Sequence, residues 1–361
     1  MPAPLHRPRR SILAAGLLLG LAACGQPSPA APTLAPNNLT VLAPQTLVVD
    51  ENVMGAFEQA SGISVLFYNI GPAEGMVSRI LAGDGVPQSW DLVYGIDRLQ
   101  LMQALASERF QPYDAPGLAE VPSELQLDAS RRLLPVGHNY VMLNADRAWF
   151  ARKAMDLPAS LEDLRRPEYA SLLVLPSPEQ DQAGRGFLAA TAAHFGEDGM
   201  RAFWSDLAAG GSQIAGDWTE AYLGAYTVGS NGEGDRPLVI AYASAPAADA
   251  LFAPESGGEP PSVGVDLPGA GFHQIDFVGI AKDTPRQQQS RALVDFLLGP
   301  EFQTSVAERM FAFPASQAAR PGQAFLSLAR PPAEPVEIAP STLADRMESW
   351  LTSWRGAIAP D

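Results

Sequence analysis

From Asn38 onward, short apolar runs alternate with helix-patterned segments, and this alternation constrains the fold more than any other feature of the chain. "NLTVLA" (38–43) reads as a strand and "ENVMGAFEQASG" (51–62) as a helix closed by Gly62. "ISVLFYNI" (63–70) is a second strand, "AEGMVSRILAG" (73–83) a second helix closed by Gly83, and "WDLVYGI" (90–96) a third strand followed by the helical "DRLQLMQALAS". Strands alternating with helices at this spacing predict a parallel α/β sheet. In such sheets ligands lie beyond the carboxyl ends of the strands, which is where Glu74, Gly75 and Asp97 fall.

The second half repeats the style. "RLLPVGHNYVMLNA" (132–145) is strand-like and suits a crossing between two lobes, and "GFHQIDFVGIA" (271–281) suits the return. "PASLEDLRRPEYA" carries a capping box, Ser160 with Asp163 three residues on. "SLLVLPS" and "PLVIAYAS" are further strands, and "SRALVDFLLGPEFQTSVAERM" reads as two helices broken at Gly299-Pro300. After a Pro-rich arm, the last helix holds Trp350 and Trp354 four apart, a spacing expected of packing on the body. At 361 residues the chain is long enough for two lobes. A formal net charge of −16 argues against nucleic acid as a partner.

The N-terminus has its own pattern. Arg7, Arg9 and Arg10 precede an apolar run, "SILAAGLLLGLAAC", too short to span a bilayer. The run ends in Leu21-Ala22-Ala23-Cys24, which resembles the lipobox of bacterial lipoprotein signal peptides. That resemblance implies cleavage before Cys24, lipidation of its sulfur and export to the periplasm or cell surface. Cys24 is the only cysteine of the chain, so an internal disulfide is excluded. The Pro- and Ala-rich stretch that follows reads as a flexible tether.

Motifs of catalysis are missing from the sequence. It holds no phosphate-binding G-x-x-x-x-G-K-[ST] loop, no G-x-S-x-G elbow and no H-E-x-x-H, and its four histidines (His6, His138, His194, His273) are scattered. His138 and His273 lie in strand-like segments and read as structural. "GSNGEGDRP" (229–237) reads as a surface turn. No catalytic residue, cofactor or metal is expected.

"GDWTEAY" (216–222) sets two aromatics four apart beside two acids three apart. Asp217 followed by Glu220 reads as a helix N-cap with a reciprocal acid, which places Trp218 in the first turn and Tyr222 one turn deeper. Together with "PLVIAYASAPAADAL", "WDLVYGID", "GPEFQTSVAERMFAFPAS" and "ADRMESWLTSWRGAI", this segment resembles the thiamine-binding periplasmic proteins of ABC importers, over most of the chain after Asn38. The resemblance implies a type II periplasmic-binding-protein fold, with two mostly parallel sheets flanked by helices and a ligand cleft between lobes. It implies a signal peptide at 1–23, a tether at 24–37, a first lobe of 38–136 plus 270–361, and a second lobe of 137–269. The carried-over ligand contacts are Glu74 and Gly75, Asp181 and Gln182, Trp218, and Tyr242, Ala243, Ser244 and Ala245, with Asp97 as cleft lining and Tyr222 as a further candidate. The implied function is capture of thiamine, or a thiamine derivative, by a monomeric, lipid-anchored subunit that delivers it to a membrane permease and its ATPase. The chain departs from the family at Pro44 and Gln45, where the relatives have a Tyr-Asp pair, and at Asp181-Gln182, where they have Ser-Thr. The alternatives are a site for another cation such as a polyamine, or for ferric iron. Iron sites of this type use adjacent tyrosines, whereas Tyr140, Tyr222, Tyr226 and Tyr242 are dispersed. An anchored hydrolase and a structural or adhesive lipoprotein are the remaining options.

Overall fold

The structure, a computed structural model, describes residues 37–252 and 259–359. Cys24, the leader and nearly all of the tether lie outside the described residues. In the first third of the body, β1 (Asn38–Ala43), α1 (Glu51–Ser61), β2 (Ser64–Asn69), α2 (Met76–Ala82), β3 (Leu92–Asp97) and α3 (Leu101–Ala106) follow one another as the alternation predicts. A short β4 (Phe110–Gln111) leads to the long β5 (Leu133–Asp146). The middle of the chain forms α4 (Arg147–Lys153), α5 (Leu161–Leu164), α6 (Pro167–Ala170), β6 (Leu173–Pro176), α7 (Gln182–Ala209), β7 (Gln213–Ala215), a π-helical turn (Glu220–Ala225), β8 (Leu238–Tyr242), α8 (Ala245–Phe252) and β9 (Ser262–Val265). β10 (Phe272–Ala281) then returns, followed by α9 (Gln287–Leu297), α10 (Pro300–Arg309), β11 (Phe313–Pro314), α11 (Gln323–Leu328) and α12 (Pro340–Ile358).

Local chemistry sets the ends of these elements. Asp50 caps α1 by accepting from the backbone N–H groups of Asn52 (2.9 Å) and Val53 (3.2 Å), and Gly62 closes the helix at φ +68°. Ser160 accepts from Asp163 N at 3.1 Å while the Asp163 carboxylate accepts from Ala159 N, a capping box shifted by one residue. Pro300, at the first position of α10, breaks the run after α9 as expected, because it carries no N–H to continue the ladder.

The strands run β2-β1-β3-β10-β5-β8-β6-β7 in one network, with β4 on the edge of β10 and β9 and β11 on β5. The mostly parallel sheets expected of the two lobes are found at the two ends of this network. β2-β1-β3 and β8-β6-β7 are parallel, and β10 and β5 join them by antiparallel pairing on both sides. The two crossing strands are hydrogen-bonded to each other from Phe272↔Val141 to Gly279↔Leu133, so the crossing is itself sheet.

Two cores flank this crossing. One gathers Leu39, Val41, Leu92, Ile96, Phe277, Leu293 and Phe302 between the β1–β3–β10 region and helices α1, α9 and α10. The other gathers Val141, Leu143, Phe187, Phe203, Trp204 and Leu238 beneath α7. Burying each such side chain contributes about 1.5–3 kcal/mol before conformational entropy is charged against it. A smaller third core of Val174, Ala215, Tyr222, Tyr226 and Val239 lies against the π-helical turn. Trp350 and Trp354 are buried, as their spacing predicts, and Trp354 meets Trp204 edge to face at 6.1 Å. The apolar face of α12 completes the core of α7 rather than that of α1 and α9.

Candidate ligand-binding site

A cavity of about 930 Å³ opens between the two larger cores, at the carboxyl ends of β1, β3 and β8 and across the middle of β5 and β10. Residues 44–47, 72–74, 94–95 and 306–312 supply one wall, 180–182, 217–231 and 242–252 the other, and Gly137, Asn139, Gln274 and Asp276 the floor. The volume is at the upper end of what small-molecule clefts enclose.

The aromatic wall is built by the π-helical turn. Glu220 N donates to the Asp217 carboxylate (2.8 Å), and Gly216 N donates to the Glu220 carboxylate (2.6 Å), so the two acids cap the turn as the sequence predicts. Inside the turn Tyr226 N bonds to Ala221 O, five residues back, which widens the coil. Trp218 stacks on Tyr222 with ring centroids 4.8 Å apart and planes 10° apart. Tyr222 is buried and packs on Tyr226, and its hydroxyl donates to Asp249 at 2.8 Å. Tyr222 is thus both core and buttress, while Trp218 borders the cavity with an indole N–H that has no partner among the described residues. Gly229, in the segment read as a surface turn, also lines the cavity. A Cβ there would lie 2.2 Å from the Tyr222 carbonyl, so the loop closes on the turn only through glycine.

The cavity is acidic. Glu74, Asp181, Asp217, Asp249 and Asp276 line it, and no Lys, Arg or His does among the described residues. Glu74 is paired with Arg185 at 2.8 Å. Asp181 caps α7 through Ala183 N (2.7 Å) and Gly184 N (3.3 Å), and its second oxygen accepts from Trp218 N (3.0 Å). Burial raises the Asp181 carboxyl above the usual range, against the pull of those three N–H groups. Asp249 accepts from Tyr222 and Ser262 and is likewise raised by burial.

Asp97 does not reach the cavity surface: it is buried behind Gln182, whose amide donates to it at 2.6 Å. Gln274 in turn donates to Gln182 (2.9 Å), so an amide chain links the floor to the buried acid. Burial pushes the Asp97 carboxyl up to about 6 and that of Asp276, which also faces the Asp97 charge, up to about 7. Gly75 and Ala243 also fall outside the lining. Gly75 supplies the αL N-cap of α2 at φ +66°, and Ala243 points into the packed interior. Glu74, Asp181, Gln182, Trp218, Tyr222, Tyr242, Ser244 and Ala245 are brought together around the cavity. Pro44 and Gln45 line it too, so the departures noted in the sequence fall at its wall.

Several lining residues went unread in the sequence. Asn139 donates to Ser244 Oγ (2.8 Å) and to Phe311 O (3.0 Å), tying floor to both walls. Phe252 and Phe311 approach across the mouth at 5.8 Å. Asp249 is the lone acid of an otherwise apolar α8 and Asp276 the lone acid of β10, and that was the one available signal. His138 and His273 lie on the other face of the crossing strands, 3.1 Å apart, with Tyr140 and Phe313 around them, as structural histidines would.

The family model of bacterial extracellular solute-binding proteins matches residues 88–329. A thiamine-binding periplasmic protein of Brucella melitensis is 23% identical over 302 residues, covering 83% of this chain and 85% of its own. Among solved structures, a periplasmic thiamin binding protein superposes with a TM-score of 0.75 at 20% identity, covering 89% of this chain and 96% of its own. The apo ferric ion-binding protein A of Pasteurella haemolytica does so at 0.70 and 19%, covering 89% and 98%. These likenesses show the two-lobed periplasmic-binding-protein fold.

Proposed function

Because the chain belongs to the bacterial extracellular solute-binding protein family, we propose that it captures thiamine in this cleft and hands it to the membrane permease of an ABC importer. The observation that carries the reading is the composition of the cavity wall: a stacked Trp218–Tyr222 platform and five carboxylates, with no basic side chain among the described lining residues. Thiamine joins a flat aminopyrimidine to a cationic thiazolium, and both parts suit an aromatic face. A cation–π contact contributes about 0.5–2 kcal/mol, more when water is excluded. A phosphate would meet Asp181 and no cationic partner on the wall, so the unphosphorylated alcohol is favoured over its phosphates. The thiamine-binding names among the relatives point the same way.

Ligand capture would draw the walls together about β5 and β10, and the closed form would be what the permease reads. We take the first lobe as 38–136 with the returning strand and α9–α11, and the second as 137–269 with α12 against it. The Leu21-Ala22-Ala23-Cys24 pattern supports a lipid anchor, and Cys24→Ser should abolish labelling by palmitate.

Calorimetric titration against thiamine, its phosphates, spermidine and ferric citrate tests the ligand. Thiamine should bind with Kd below about 10 µM, and the phosphates more weakly. Tight binding of spermidine or iron with none of thiamine overturns the assignment.

A further inference from the structure

Four of the five carboxylates on the cavity wall already have occupations. Glu74 is neutralised by Arg185, Asp181 holds three backbone N–H groups, Asp249 holds two hydroxyls, and Asp217 caps the π-helical turn from an exposed position. Asp276 has no such partner: among the described residues its carboxylate accepts one hydrogen bond, from the Gln274 amide at 3.5 Å, and no cation lines the cavity beside it. Gln274, itself 4% exposed, keeps its amide oxygen without a partner at the same place on the floor.

The strand is shaped around Asp276. Against β5 the register is regular from Phe272 to Asp276 and slips between Asp276 and Phe277; against β3, where pairing begins at Asp276, it slips between Phe277 and Val278. On β3 the residue skipped is Gly95, which lines the cavity at φ +86°. Paired bulges of this kind re-aim a side chain at the cost of ladder hydrogen bonds. Tyr94 and Tyr242, both on the cavity wall, have their phenols raised first by burial, with the Asp276 charge adding to it at both and that of Asp181 at Tyr242.

We propose that Asp276 is the specificity-determining carboxylate of the cleft, receiving the positive charge of the bound solute between the rings of Tyr94 and Tyr242. This rests on the reading of the cleft as a site for an organic cation. A half-buried carboxylate without a counter-charge is costly in the empty protein, and a cation entering the cavity supplies what the wall withholds.

The test is a titration of the purified protein and its Asp276→Asn variant with thiamine and with the neutral isostere whose thiazolium is replaced by thiophene. The substitution should weaken thiamine by about 10- to 100-fold and leave the neutral isostere within about threefold. Equal losses for both ligands, or an unchanged thiamine affinity, overturn the proposal. Asp276→Ser is read in the same way should the amide variant not fold. If the native protein ignores thiamine, spermidine and choline take its place. Loss of a bound cation on substitution then upholds Asp276 while the thiamine reading falls, and binding of no cation overturns both.

Discussion

At the scale of single residues, a histidine pair and a carboxyl pair titrate in opposite senses. Burial, joined at His273 by the neighbouring charges of His138 and Arg98, lowers His138 to about 4 and His273 to about 3 from 6.5. The unfolded chain therefore binds more protons below about pH 6.5, and the stability these histidines contribute is lost as pH falls from there toward about 4. Asp97 and Asp276 are raised from 3.8 to about 6 and about 7, so the folded chain binds more protons and stability falls as pH climbs between those values. The two slopes overlap and partly cancel. Urea unfolding should show a shallow pH profile in the native protein. Asp276→Asn should raise the midpoint at pH 8, where its charge is fully imposed, with the gain shrinking toward about pH 4. No gain at pH 8 would mean that the carboxylate is better solvated than its place in the cavity floor implies. Trp218→Ala, which strips the platform above Tyr222, should weaken ligand binding by about tenfold or more without unfolding the turn. The check is calorimetry beside far-ultraviolet circular dichroism.

At the scale of elements, the strand bulges and the π-helical turn do the positioning, and both depend on glycine. Gly95 sits at φ +86°, and a Cβ there would stand 3.1 Å from the Pro44 ring. Gly95→Val should therefore strain β3, displace the 44–47 wall and lower the melting temperature, with a cost of about 1–3 kcal/mol for the backbone alone. A melting curve unchanged from the native one would show that the bulge tolerates a side chain. Helix starts and the order of strands were legible in the sequence because capping and periodicity are local. "GDWTEAY" revealed its capping acids, and with them the place of Trp218 in the first turn, for the same reason. The bulges were not legible, since a register slip is decided by the partner strand, and "FHQIDFVGIA" reads as an unbroken strand. The widened coil of 220–225 escaped notice likewise, because i→i+5 bonding is imposed by the packing of Tyr222 and Tyr226 against Val174 and Val239. Asp97 looked like a cleft residue from its place at a strand end, yet the Gln182 side chain stands in front of it.

At the scale of the whole molecule, the cavity floor belongs to two strands far apart in sequence, and the walls hang from opposite ends of the sheet they form. Ligand that bridges the walls should compact the protein, and small-angle scattering with and without saturating thiamine should show a smaller radius of gyration in its presence. Binding to the folded form alone should also raise the melting temperature, by about 2.7 kcal/mol of added stability at a hundredfold excess over Kd. Alpha-helix α12 has a further consequence. It reaches back across the chain, Arg355 pairing with Glu179, which stands 176 positions earlier and just ahead of α7, and its Trp350 and Trp354 help fill the core beneath α7. A chain emerging from its N-terminus therefore carries an uncovered apolar face on α7 until residues 340–358 arrive. Completion of that core should wait for α12, long after the segment from β1 to β3 has been made.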